Sequence, residues 1–303
     1  MGKSVVAKHF FIIFFEVRHI KTGVIFGKFY PIHLGHIDFI QRISIMVDKL
    51  YVVVCTDLIR DDKLFLNSGM KNRLPDFLRL KFVSDSFKFQ SNIEIIHLKE
   101  DGIASYPNGW LDWSSRVKQL FENRKITFNK IFCNETQDVE NYYKYFSEIE
   151  NLEVITLDVN REKFDISATK IRSNPQLYWK YIPINARFFF SNKIAFVSKD
   201  IYRALDYTEK ISNYYNSNFY DCIDFDYDAN NKFIEQSIFT FNINLNTFDS
   251  KISFFSINKD FYNSVCIEDN FFDLIINLDD FEFDDNKLYD HLLIKINELF
   301  NMD

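Results

Sequence analysis

The sequence predicts an α/β protein: a doubly wound parallel sheet followed by a second α/β domain. Three observations lead there. Short β-rich apolar runs alternate with amphipathic stretches through the first half of the chain, the pattern of strands buried on both faces by crossover helices. The alternation breaks at Pro183 and restarts at Lys193. The first apolar run ends in a turn, GKFYPIHLGH (Gly27–His36), that carries two histidines three residues apart. Ligands of open α/β sheets bind at such strand-to-helix turns, beyond the carboxyl ends of the strands.

In order, the strand candidates are Val24–Phe26, Tyr51–Thr56, Ile93–Leu98, Lys130–Cys133 and Leu152–Leu157. Helical periodicity fills Ile37–Val47 and Trp113–Phe121 between them. Beyond Pro183 come strand candidates at Lys193–Val197, Asp221–Tyr227, Lys251–Ile257 and Phe272–Leu278, and a closing amphipathic helix at Leu288–Phe300. The expected division is an extension over 1–22, a first domain over 23–186 and a second over 187–303.

Bulk composition narrows the function classes. The 303 residues are 47% hydrophobic, enough to build two cores. Cys55, Cys133, Cys222 and Cys266 lack metal-ligand spacing and read as reduced thiols of a cytoplasmic protein. The apolar run FFIIFF (Phe10–Phe15) is too short to cross a membrane, and no small-residue cleavage site follows it. Residues 1–186 carry 26 basic and 22 acidic side chains, net +4, whereas 187–303 carry 10 and 21, net −11. A mildly basic half suits an anionic small ligand; neither half has the basic stripe of a nucleic-acid binder.

The turn has the chemistry of a phosphate site. Gly27 lets the backbone turn and approach a phosphate, Lys28 adds a point charge, and Pro31 stiffens the approach. His33 and His36 stand at a helix start, where N–H groups and the helix dipole already favour an anion. After the fifth strand, ISATKIR (Ile166–Arg172) sets Ser167 and Thr169 at another helix start with Arg172 one turn on. Taken singly, each histidine or hydroxyl is an ordinary cap, Trp113 and Trp179 are ordinary core, and Trp110 suits core packing or ligand contact equally. Asp57 suits substrate contact or a helix cap equally.

GKFYPIHLGH resembles the HxGH signature of the nucleotidyltransferase superfamily, and ISATKIR is similar to its ISxTxxR motif. With RDDKLF (Arg60–Phe65), YPNGWLDWS (Tyr106–Ser114) and NPQLYWKYIP (Asn174–Pro183), the chain resembles the NadR-type family, which joins nicotinamide-mononucleotide (NMN) adenylyltransferase to ribosylnicotinamide kinase. The resemblance implies a Rossmann-like nucleotidyltransferase fold. It implies transfer of AMP from ATP, with Mg²⁺, to NMN, giving NAD and pyrophosphate. It assigns catalysis to His33, His36, Lys28 and Arg172. ATP would lie along Gly27, Phe29, His33, His36, Ser167, Thr169 and Arg172, and NMN along Phe26, Lys28, Asp57 and Trp110. ATP and NMN would be the partners, with no nucleic acid and no membrane; a homo-oligomer is compatible with the sequence. No protein metal site is expected.

The second domain departs from the pattern. Where the family has a glycine-rich Walker A loop, this chain reads KIAFVSKDIYRALDYTEKI (Lys193–Ile211), and none of its seven glycines follows Gly109. Lys199 comes too early for the loop lysine, Ala204 stands in its place, and Ser256 and Asn258 replace an acidic cluster, with Asp260 displaced. A kinase with its activity lost is expected. The alternatives are an NAD(P)-sensing regulator, or a nucleotidyltransferase with another acceptor such as pantetheine phosphate or FMN. Two intact phosphate motifs argue against the first and YPNGW against the second.

Overall fold

A computed structural model of the chain describes residues 20–159, 163–215, 217–221, 251–264, 272–281 and 284–300. The first domain runs β1 (Thr22–Gly27), α1 (Leu34–Ser44), β2 (Lys49–Thr56), α2 (Leu58–Leu66), α3 (Asp76–Ser86), β3 (Ile93–Lys99), α4 (Trp110–Asn123), β4 (Lys130–Cys133), α5 (Val139–Tyr145), β5 (Glu153–Thr156), α6 (Ala168–Ser173) and α7 (Ile184–Phe190). All five predicted strands form. They make one parallel sheet in the order β3-β2-β1-β4-β5. The order reverses between β1 and β4, which opens a crevice at their carboxyl ends.

Alternate residues of each strand enter different cores, because successive side chains of a strand point to opposite faces. Ile25, Val52, Val54 and Phe132 pack under α1, α3 and α7, against Ile40, Leu78 and Phe190. Val24, Val53, Cys55 and Ile131 pack on the other face, against Val117 and Phe121 of α4 and Tyr142 of α5. Covering both faces explains why these strands read as continuous apolar runs.

The second domain holds β6 (Asn192–Ser198), α8 (Ile201–Tyr214), β7 (Asn218–Asp221), β8 (Ile252–Asn258), α9 (Lys259–Ser264), β9 (Leu274–Asn277) and α10 (Asp285–Phe300). Its strands are also parallel, in the order β7-β8-β6-β9. Ile194, Phe196 and Phe254 meet Ala204, Tyr207 and Ile211 of α8 and Leu288, Leu292 and Ile296 of α10. Most of the strand expected at Asp221–Tyr227 lies outside the described residues, as do FFIIFF, Cys222 and Cys266.

Helix α7 joins the two domains. Ala186 and Phe190 belong to the first core, whereas Phe188 faces Phe255 of β8, ring centroids 6.4 Å apart. Among the described residues, no helix is long and apolar enough to cross a membrane.

Candidate active site

The paired histidines form one object. His33 is the N-cap of α1, and its Nδ1 accepts the His36 N–H at 3.2 Å. An accepting Nδ1 leaves the ring proton on Nε2, a donor suited to an anion. Residues i and i+3 lie one turn apart on a helix. The two imidazoles accordingly stack, with centroids 3.6 Å apart and planes 18° from parallel. Phe29 meets the His36 ring edge-on at 5.0 Å. Phe29 has φ 45°, a left-handed conformation that costs a non-glycine residue energy. This backbone folds its ring onto Gly27, where a Cβ would stand 2.7 Å from the ring. The missing side chain of Gly27 thus makes room for Phe29, a local reason the sequence did not show. Lys28 is exposed at the end of β1.

The second motif reaches the first. Ser167 caps α6 by accepting the Lys170 N–H at 3.2 Å. Arg172 is 9% exposed; its Nη2 donates to Thr169 Oγ1 at 3.0 Å. Its Nη1 donates to the Tyr30 carbonyl at 2.6 Å, tying the ISATKIR helix to the GKFYP turn. Gly35 lies against Ile166, where a Cβ would sit 3.2 Å from the isoleucine. Because α6 has only six residues, its dipole adds little, and anion binding falls to the side chains.

Behind these groups lies an ion network that sequence reasoning missed. Arg79 is buried and pairs with Asp61 at 2.7 Å and Asp76 at 3.2 Å. It also donates to the carbonyls of Cys55 at 3.2 Å and Lys28 at 3.3 Å, which holds the ends of β1 and β2 together. Arg60 bonds Glu100 and Asp61, and Glu100 accepts the Trp113 indole N–H at 2.8 Å. Burial alone would push the Asp61 carboxyl up; Arg79, the Asp57 N–H and Arg60 outweigh it and hold the group below the usual range. The Tyr30 ring lies 4.6 Å from the Arg79 guanidinium and 6.0 Å from that of Arg172. RDDKLF contained half of this network, but nothing local marked Arg79.

Asp57 is the N-cap of α2, its Oδ1 accepting the Arg60 N–H at 2.6 Å. Phe26 and Trp110 join one aromatic cluster. Phe26 meets Trp113 edge-on at 4.8 Å, and Trp110 meets Trp113 at 5.2 Å and stacks on Tyr145 at 6.1 Å. Among the described residues the buried Trp110 Nε1–H has no hydrogen-bond partner, a group that a ligand acceptor would satisfy. Trp113, expected as plain core, uses its polar edge on Glu100. Past β4, burial and then Glu135 push the Asp138 carboxyl up, offset by the nearby Lys28 charge. Burial raises the Cys55 thiol well above its ordinary value and the Cys133 thiol to about 11, so both are protonated and poor nucleophiles.

At the matching place in the second domain, a carboxylate of the chain fills the turn. Asp279 accepts the Ser198 hydroxyl at 2.7 Å and the Lys199 N–H at 3.1 Å, and pairs with Lys259 at 3.4 Å. Asn258 donates to the Lys199 carbonyl at 3.3 Å. Ala204 is fully buried in α8.

No protein-family model matches the chain. It is 36% identical over 203 residues to the trifunctional NAD biosynthesis/regulator protein NadR of Escherichia coli (strain K12), covering 66% of this chain and 48% of the relative. NadR of Salmonella typhimurium (strain LT2) is 34% identical over 203 residues, covering 67% and 48%. The chain is a relative of the NadR proteins. It spans about half the length of these curated relatives. A crystal structure of NadR protein in complex with NR matches 93% of this chain and 88% of its own with a TM-score of 0.62, at 19% identity. That likeness shows a shared fold through both domains.

Proposed function

We propose that the first domain is a nicotinamide-nucleotide adenylyltransferase of the cytoplasm, with ATP and NMN as substrates. The observation that carries this reading is the bond from Arg172 to the Tyr30 carbonyl, which sets the stacked histidines and the ISATKIR hydroxyls at one crevice. In the reaction an oxygen of the NMN 5′-phosphate attacks the α-phosphorus of ATP. The bond to the β-phosphate bridging oxygen breaks, and its electrons leave with pyrophosphate. The nucleophile is already an anion, so no general base is needed. The task is to align two phosphates and to neutralise charge as pyrophosphate departs. His36 would donate to the α-phosphate in the transition state and His33 Nε2–H to its neighbour. Lys28, Ser167, Thr169 and Arg172 would hold the remaining phosphates, and the Trp110 cluster the nicotinamide end.

The donors at this crevice are cationic or neutral. Among the described residues no group of three or more His, Cys, Asp or Glu is arranged around a common point for a metal. The residues therefore fit Mg²⁺ carried on the polyphosphate, where it would offset phosphate charge, with His33 and Arg172 holding the nucleotide in the ground state.

The kinase activity of the second domain is proposed to be lost. Asp279 accepts hydrogen bonds from the Ser198 hydroxyl and the Lys199 N–H, donors at a turn where a phosphate would otherwise be cradled. Incubating the purified chain with NMN, ATP and Mg²⁺ and measuring NAD tests the reading. NAD and pyrophosphate in equal amounts support it. No NAD, with adenylylation of pantetheine phosphate or FMN, transfers the reading to another acceptor; NAD binding without turnover makes the chain a sensor.

A further inference from the structure

We infer that the second domain braces the phosphate end of the first domain's site, with Lys71 as the positioning residue; this rests on the adenylyl-transfer reading. The connection between α2 and α3, residues 67–75, lies against α6. Its Gly69 N–H donates to the Arg172 carbonyl at 2.8 Å. A Cβ on Gly69 would stand 2.4 Å from the Ser173 carbonyl oxygen, so this approach is open to glycine alone. Five residues on, the Leu74 N–H donates to the Tyr30 hydroxyl at 3.3 Å. The connection thus touches both partners of the Arg172–Tyr30 bond, on the main chain of one and the side chain of the other.

Between these two contacts Lys71 reaches the second domain. Its Nζ is 2.5 Å from Asn192 Oδ1 and bonds the Asp273 carboxylate. Asp273 is itself fixed: its other oxygen accepts the Lys193 N–H at 2.6 Å, and its own N–H donates to the Lys193 carbonyl at 2.8 Å. The anchor is therefore the start of β6, which is continuous with α7, and Phe188 of α7 already packs on Phe255. Lys71 is half-exposed, so its ion pair adds little to global stability. Its consequence is positional: a rigid edge sets where residues 67–75 sit, and they set Arg172. This gives the second domain, whose kinase activity is proposed to be lost, a reason to keep its fold.

The test uses the full chain with Lys71→Met, Asp273→Asn and the double variant, and two readouts: hydrogen exchange of the 67–75 amides, and the ATP dissociation constant by calorimetry. The brace requires faster exchange at 67–75 and ATP affinity lower by roughly 3–10-fold. Melting should be nearly unchanged, the double variant no worse than either single one, and Lys71→Arg should restore both readouts. Unchanged exchange, unchanged ATP affinity, or additive losses overturn it. A wild-type chain that binds ATP but makes no NAD counts against adenylyl transfer to NMN alone, because neither readout depends on turnover.

Discussion

Replacing His36 with alanine separates chemistry from folding. The cap of α1 survives the change, since the bond to His33 Nδ1 comes from the His36 main-chain N–H. The structural loss includes an edge-on contact with Phe29 and a stack on His33. Aromatic contacts contribute about 0.5–1.5 kcal/mol each beyond burial, and the half-buried His36 ring lies at the low end, so the domain should lose about 1–2 kcal/mol. The loss at the reacting phosphate is larger. Removing one preorganised donor costs roughly 10²–10³-fold in turnover, about 2.7–4 kcal/mol. A donor used only in the transition state lowers kcat and kcat/KM together and leaves the KM for ATP nearly unchanged. The assay is NAD formation at saturating NMN and ATP, with thermal melting of the same samples. Near-wild-type turnover would remove His36 from the mechanism. A turnover loss that merely follows unfolding would refute the separation argued here.

Trp110→Ala should weaken NMN binding by about 1–3 kcal/mol while sparing ATP, as loss of base–aromatic stacking does; equal losses in calorimetric titrations would make Trp110 a packing residue. Supplied with nicotinamide riboside and ATP, the chain should form no NMN, and phosphorylation at an ordinary kinase rate of about 1 s⁻¹ would show that Asp279 does not close the second site. Arg79→Met should destabilise the first domain by up to about 3–5 kcal/mol at neutral pH, because the buried Asp61 carboxylate keeps Arg60 and the Asp57 N–H but loses its fully buried partner. The folded state holds Asp61 below its unfolded value, so its contribution is present above an unfolded pKa of about 3.9 and is lost as pH falls through the folded one. In the variant that carboxyl takes up a proton instead, so the gap in melting temperature between wild type and Arg79→Met should narrow from pH 7 towards pH 4. A gap independent of pH would mean that Arg79 acts by packing.

The strands and both helix-start motifs of the candidate site were legible because they are written in local patterns. Burial on both faces of a parallel sheet demands continuous β-rich runs, so Tyr51–Thr56 and Lys130–Cys133 announced β2 and β4 before any fold was known. Capping is local as well: His33, Asp57 and Ser167 each accept an N–H three residues on, a distance that spacing alone supplies. The division expected at 186/187 is less simple in space, since α7 places Ala186 in one core and Phe188 against the sheet of the other. No periodicity could show that, because α7 is only two turns long and apolar on several sides.

What the sequence by itself determined is therefore the order of elements, the side chains offered at the mouth of the first strand and after the fifth, and the lack of glycine past Gly109. The tertiary structure decided the pairings. Arg172 finds the Tyr30 carbonyl 142 residues away, Arg79 closes on Asp61 beneath the turn, and Asp279 crosses 80 residues to the Lys199 N–H. The physical reason is range. Backbone preference and hydrophobic period act over a few residues and leave a trace in the string of letters, whereas a buried charge takes whichever partner the packed chain brings within hydrogen-bond distance.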